Sequence, residues 1–187
     1  MAAKNIPMIL STMVAFILSV SVSGEEQIMI DNFTPESDVP WQYLSDQVMG
    51  GVSEGSAELG NDDGEHYARL FGNVSTANNG GFIQLRTSLQ SGVDKNTRGV
   101  YLKVRGNGQK YYIHLRTKGT MLPWQYYQAD FDVTGDWQIV RLPLEQFKRS
   151  GSWLGKSAKP RSLRSLGIVA YGRDHQADLQ ISEVGFY

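Results

Sequence analysis

Along this chain, hydrophobic and polar positions alternate in short runs rich in Val, Ile, Tyr and Phe, and clusters of glycine, asparagine and aspartate separate the runs. No long segment carries apolar residues at helical spacing, so the pattern predicts strands. They fall at residues 27–33, 52–59, 66–71, 81–87, 99–105, 110–117, 124–133, 137–142, 166–171 and 178–187. The turns between them are written in Gly60-Asn61-Asp62-Asp63-Gly64, Asn78-Asn79-Gly80-Gly81, Gly106-Asn107-Gly108 and Thr134-Gly135-Asp136, residues that tolerate positive φ or cap a bend. One helical turn is expected at residues 143–147, and the longest loop at 148–164. About ten strands in one domain predict an all-β fold, a two-sheet antiparallel β-sandwich of jelly-roll type.

Residues 1–24 break this pattern. Lys4 supplies a positive start, an apolar run covers residues 8–22, and Val22-Ser23-Gly24 ends in small residues before Glu25-Glu26. This is the layout of a secretory signal cut after Gly24, and the run is shorter than the ~20 residues of a membrane-spanning helix. The absence of arginine before Arg69 argues against a mitochondrial transit peptide. The expectation is an exported chain, periplasmic or secreted, with one domain over residues 25–187 and no membrane span once the signal is removed.

Composition narrows the chemistry. The chain has no cysteine, which excludes disulfides, thiolate metal sites and cysteine nucleophiles. A formal net charge of −1 gives no general attraction to nucleic acid or to an anionic membrane, so any electrostatic binding must be local. The loop at 148–164 concentrates Lys148, Arg149, Lys156, Lys159, Arg161 and Arg164 around Trp153. It reads either as a solvated surface loop or as a binding loop.

The glycines of "SDQVMGGVSEG", residues 45–55, do not form a phosphate loop, because no Lys-Ser or Lys-Thr follows and the next residues alternate as a strand. Gly50 and Gly51 are expected to reverse the chain, with Asp46 and Ser53 either capping the bend or, for Asp46, reaching a ligand at the sheet rim. His66, His114 and His175 lie far apart without a nucleophile motif, so a serine-hydrolase triad has no support. Asp130 and Asp132 share a strand face at about 7 Å, which overlaps the spacing of an inverting glycosidase pair, but no apolar setting would raise either pKa. Asp174, His175 and Asp178 sit in a predicted hairpin turn. Neither a metal site nor a cofactor is expected.

A richer signal spans several strands. If Ile83, Leu85, Val100, Leu102, Val104, Ile113, Leu115, Tyr127, Ala129 and Phe131 point inward, alternation puts their neighbours on the opposite face. Those neighbours are Gln84 and Arg86, then Tyr101, Lys103 and Arg105, then Tyr112, His114 and Arg116, then Trp124, Tyr126, Gln128 and Asp130. Such a face offers aromatic planes and fixed donors to a sugar or an extended peptide. The plainer alternative is the wet face of an antiparallel sheet. Candidate ligand contacts are Arg86, Tyr112, His114, Arg116, Trp124, Tyr126 and Gln128, with Asp46 at the rim.

Taken in order, "SDQVMGGVSEG", "GGFIQLRT", "GVYLKVRGNGQKYYIHLRT", "YYQADF", "WQIVRLPLEQF" and "SLGIVAYGRDHQADLQISEVGFY" resemble the complex I intermediate-associated protein 30 family from about Ile30 to Tyr187. The resemblance implies a galactose-binding-like jelly roll similar to family 11 carbohydrate-binding modules. Mitochondrial members of that family are non-enzymatic assembly factors that act as chaperones on respiratory complex I intermediates. It therefore implies a binding or assembly module, not an enzyme, holding a protein partner on the concave sheet face. A glycan on the same face is the alternative, with Trp124, Tyr112 and Tyr126 as stacking platforms and Arg86, Arg116 and Gln128 as hydrogen-bonding groups. No nucleic-acid partner is expected.

Overall fold

A computed structural model describes residues 26–90 and 93–187. The expected export signal over residues 1–24 lies outside them. The strands are β1 (Ile28–Asp31), β2 (Gln42–Ser45), β3 (Glu54–Asp62), β4 (Glu65–Val74), β5 (Phe82–Ser88), β6 (Gly99–Gly106), β7 (Lys110–Thr117), β8 (Tyr127–Asp132), β9 (Gln138–Pro143), β10 (Lys148–Arg149), β11 (Leu163–Tyr171) and β12 (His175–Phe186). Each predicted run overlaps one of them, and β7 has the predicted bounds. β2 and β10 were not anticipated. The expected helical turn is a short 3-10 turn at Leu144–Gln146.

The strands form two antiparallel sheets of six. One runs β3-β4-β12-β6-β9, with β1 also paired to β12, and the other runs β10-β8-β7-β11-β5-β2. The molecule is a β-sandwich of jelly-roll type. The long β12 pairs with β6 from Leu179 to Phe186, with β4 from His175 to Ile181, and with β1 near Phe186. Between the sheets, all ten inward positions expected from alternation are buried, and Leu70, Leu166, Ile168, Leu179 and Ile181 join them. Each fully buried aliphatic side chain contributes about 2 kcal/mol in apolar burial. Among the described residues, no helix is long and apolar enough to cross a membrane.

One expectation is corrected here. Tyr101, Lys103 and Arg105 do not share a face with Tyr112 and His114, because β6 belongs to the opposite sheet. Alternation fixes which side of its own sheet a residue takes, but not which sheet the strand joins. On that far side, Lys103 pairs with Glu65 at 2.7 Å, and Arg105 pairs with Asp62 at 2.7 Å while its guanidinium lies 4.6 Å from the centre of the Trp137 ring.

Candidate functional site

The register of the second sheet sets Gln128 opposite His114, His114 opposite Gly167, Gly167 opposite Arg86 and Arg86 opposite Gln42. Directly opposed residues on neighbouring strands point to the same side, so these side chains form one row across the outer face. The glycine at the middle of the row removes a side chain between His114 and Arg86 and leaves a trough. An added Cβ would meet only the Gln84 Oε1 atom closely, at 3.0 Å. The trough opens into a cleft of about 360 Å³. Leu44, Val48, Met49 and Asn79 line its β2 side, and Pro123, Trp124 and Tyr126 its β8 side.

The β8 side is an aromatic cluster. The Tyr126 ring stacks on the His114 imidazole, with centroids 3.9 Å apart, and the Tyr126 and Tyr171 hydroxyls are 3.2 Å apart. Tyr171 in turn meets Tyr112 at 5.6 Å and His114 at 5.4 Å, both edge to face. Burial disfavours the imidazolium and pulls His114 down to about 3, against the opposing influence of Gln128. Burial, and then the hydrogen bond with Tyr171, push the Tyr126 phenol well above its ordinary range. At neutral pH both rings are uncharged. Among the described residues, the buried His114 Nε2 and Gln128 Oε1 make no well-formed hydrogen bond, although the two residues oppose each other on β7 and β8.

The two arginines play different parts. Arg116 donates through Nη2 to the carbonyls of Thr120 at 3.2 Å and Leu122 at 3.0 Å, tying down the connection that carries Trp124. Burial, and then the nearby charge of Arg86, lower its pKa. Arg86 is half-buried and makes no ion pair or hydrogen bond among the described residues. Its charge is therefore available at the cleft floor. All seven residues expected on this face lie on β5, β7, β8 or the connection before β8. Six of them meet around the row and the aromatic wall, while Trp124 stands on the rim, 61% exposed.

Asp46 is corrected. Its side chain is fully buried beneath the rim, where the carboxylate accepts the Ser53 N–H at 2.9 Å, the Phe82 N–H at 3.2 Å, the Gly81 N–H and the Ser53 hydroxyl. Those hydrogen bonds outweigh burial and hold its pKa below the ordinary value. Gly50 takes φ +88°, as a chain reversal requires, and a Cβ on Gly51 would overlap the Asp46 carboxyl. Its carboxylate is thus committed to the bend that carries Val48 and Met49 and is not exposed at the rim.

The other carboxylates are committed elsewhere. Asp130 pairs with Lys110 at 2.7 Å, which lowers its pKa and denies it the raised value of a general acid, and Asp132 lies 4.0 Å from the same ammonium. Asp174 accepts the Thr76 N–H and hydroxyl at 2.6 and 2.7 Å, Asp178 is bound to Arg69 at 2.8 Å, and His175 contacts the Arg173 carbonyl.

Sequence reasoning missed Gly167 and Tyr171 on β11 and the apolar pair Val48 and Met49. β11 is buried on both faces from Ser165 to Ala170, so its pattern does not alternate and its faces are not assignable from sequence. A glycine inside a predicted strand was the available signal, since it marks a close approach or a missing side chain.

Residues 31–181 match the family described as complex I intermediate-associated protein 30. The chain belongs to that family. A comparison with curated proteins found no match. Among solved structures, this family member is similar to the family 11 carbohydrate-binding module of the cellulosomal cellulase Lic26A-Cel5E of Clostridium thermocellum, with TM-score 0.70, 12% identity, and 88% of this chain and 95% of the module covered. The family 11 module of the same organism, in complex with a β-1,3-1,4-mixed-linked tetrasaccharide, gives 0.69, 12%, 86% and 94%. The family 30 module of the cellulosomal cellulase Cel9D-Cel44B of Clostridium thermocellum gives 0.62, 16%, 87% and 97%. At such identities the likeness concerns the fold.

Proposed function

We propose that this chain is a non-catalytic binding and assembly module that holds an extended protein segment in the cleft over Gly167. The observation that carries the reading is the unpartnered Arg86 guanidinium at the floor of a cleft rimmed by exposed Val48, Met49 and Trp124. Aliphatic and thioether side chains beside an indole suit the apolar side chains of a polypeptide, and a desolvated guanidinium suits a carboxylate on the same segment. The occupant is therefore a segment with alternating apolar residues and at least one acidic group, held as a chaperone holds an intermediate. The family's name, which refers to intermediates of an assembly, supports the same role. The reading includes export of the chain, on the sequence features of residues 1–24.

A displayed library of short extended peptides tests it. Enrichment of apolar and acidic sequences, with at least about tenfold weaker binding by Arg86→Gln at unchanged melting temperature, is the expected result. No enrichment, or equal binding by Arg86→Gln, refutes the protein-segment reading.

A second reading, a glycan in the same cleft, is favoured by one observation: the indole of Trp124, 61% exposed, is a free stacking platform. Against it, one face of Tyr126 is already covered by His114, and Tyr112 is met edge-on by Tyr171. Saturable binding of a soluble β-glucan, lost in Trp124→Ala, would move the conclusion to this second reading.

A further inference from the structure

The two connections at one end of the sandwich, residues 118–126 and 150–162, contain no aspartate or glutamate. They form one surface. The Lys118 N–H donates to the Ser162 carbonyl at 2.8 Å, the Ser150 N–H to the Tyr126 carbonyl at 2.9 Å, the Tyr126 N–H to the Ser150 hydroxyl at 3.1 Å, and that hydroxyl to the Trp124 carbonyl at 2.8 Å.

The second connection is built to hold an indole outward. The Arg149 guanidinium donates to the carbonyls of Ser152 at 3.0 Å and Leu154 at 2.6 Å, which closes a tight turn around Trp153. Leu154 and Ala158 are buried beneath it and join the core. Between these anchors Trp153 is 94% exposed, and on the neighbouring connection Met121 is 86% exposed. Lys118, Lys156, Lys159 and Arg161 are exposed, and their side-chain nitrogens take part in no hydrogen bond or ion pair among the described residues. On the strands, by contrast, Arg69, Lys103, Arg105 and Lys110 are each paired with a carboxylate, while Arg86 and Arg116 are not. These two connections therefore carry four cations and no carboxylate, while the molecule as a whole is nearly neutral.

We propose that this end of the sandwich docks on the surface of an anionic phospholipid bilayer, with Trp153 and Met121 among the headgroups and Lys156, Lys159 and Arg161 against the phosphates. Three features select this partner. An indole prefers the boundary between apolar and aqueous layers. Unpaired lysine and arginine gain roughly fivefold in affinity each beside an anionic leaflet. A polynucleotide would use the cations but would leave the apolar Met121 in water. The proposal does not depend on what fills the cleft, because Met121, Trp153, Lys156, Lys159 and Arg161 do not line it, although Trp124 borders it from the first connection.

The test is co-sedimentation of the full chain with vesicles of phosphatidylcholine alone and of phosphatidylcholine with added phosphatidylglycerol. Residues 8–22 are apolar in every variant, so the difference between variants is what counts. The expected result is extra binding to the anionic vesicles that weakens as salt rises from about 0.05 to about 0.5 M. It also includes a blue-shifted emission component that Trp153→Phe removes. The double variant Lys156→Glu with Arg161→Glu should lose at least about twentyfold in anionic-vesicle affinity. Arg86→Gln should bind vesicles like the parent, which separates this proposal from the one for the cleft. Full vesicle binding by the charge-reversed variant overturns the proposal. So does single-stranded RNA binding that matches the vesicle affinity and is unchanged in Trp153→Ala.

Discussion

The His114 imidazole and the Tyr126 phenol ring lie 3.9 Å apart and 9° from parallel, and neither carries charge at neutral pH. The stack places a titratable base inside a dry aromatic wall, and this has a consequence for stability. The folded-state pKa of His114, about 3, lies below its ordinary 6.5, so between these values the unfolded chain binds the extra proton. Stability is complete above about pH 6.5 and falls as pH drops through the window, by at most about 1.4 kcal/mol per unit. Down to about pH 5.5 ordinary carboxylates remain almost fully charged, so the loss there belongs to the histidines, with His175 adding to it in the same direction. In His114→Phe the melting temperature should depend distinctly less on pH over this range. A variant that falls as steeply as the parent would show that the stack does not exclude water.

Asp46 should behave as a structural residue. Asp46→Asn keeps the shape but replaces one acceptor oxygen with an amide donor facing the N–H groups of Gly81 and Phe82. Leaving buried donors unmatched costs about 3 kcal/mol. Urea unfolding is expected to show that loss with an unchanged m-value, because the exposed surface on unfolding stays the same. A change below about 0.5 kcal/mol would remove this carboxylate from the account of the rim.

Gly167 separates the cleft from the fold. In Gly167→Val the new Cβ presses only on the far end of the Gln84 side chain, which can swing away, and valine suits a strand. Stability should therefore shift by less than about 1 kcal/mol, while affinity for a cleft ligand falls at least tenfold because the trough is filled. Unchanged affinity would place the ligand elsewhere on the molecule.

Arg116 links the cleft to its rim. Arg116→Met leaves the Thr120 carbonyl without its donor, leaves the Leu122 carbonyl with only the Gln125 N–H, and frees the connection that carries Trp124. Leu122 is exposed while Thr120 is buried, so the expected stability loss is about 1 kcal/mol, from the one carbonyl left without a donor. Hydrogen exchange should quicken at residues 121–125 and not on β7. Uniformly faster exchange would indicate that the arginine supports the whole sheet instead.

How much of this was legible in the sequence depended on whether a residue's partners are near in the chain or only in space. Strict alternation on β5, β7 and β8 exposed both faces of the second sheet, because each of these strands has one buried side. β2 and β10 escaped for a different reason. β10 has only two residues, Lys148 and Arg149, held by the edge of β8, and β2 has four, held by β5, so neither carries a pattern of its own. The sheet that β6 joins was hidden because its partner β12 lies far along the chain, with Gly106 opposite Leu179 and Val100 opposite Phe186. Asp46 was seen as a flank of the glycine pair, but its work was not, since Gly81 and Phe82 lie 35 and 36 residues away. The cleft itself depends on Gly167, the position where the pattern is least informative because β11 is buried on both sides.

The position of β12 also bears on how the molecule comes into being. It lies at the centre of its sheet, between β6 on one edge and β4 with β1 on the other, yet every other strand precedes it in synthesis. Until residues 175–186 emerge from the ribosome, β4 and β6 each have an unpaired edge and the first sheet cannot close. Closure of the first sheet therefore waits on β12. While it is absent, β4 and β6 offer open hydrogen-bonding edges to any other strand that can pair with them.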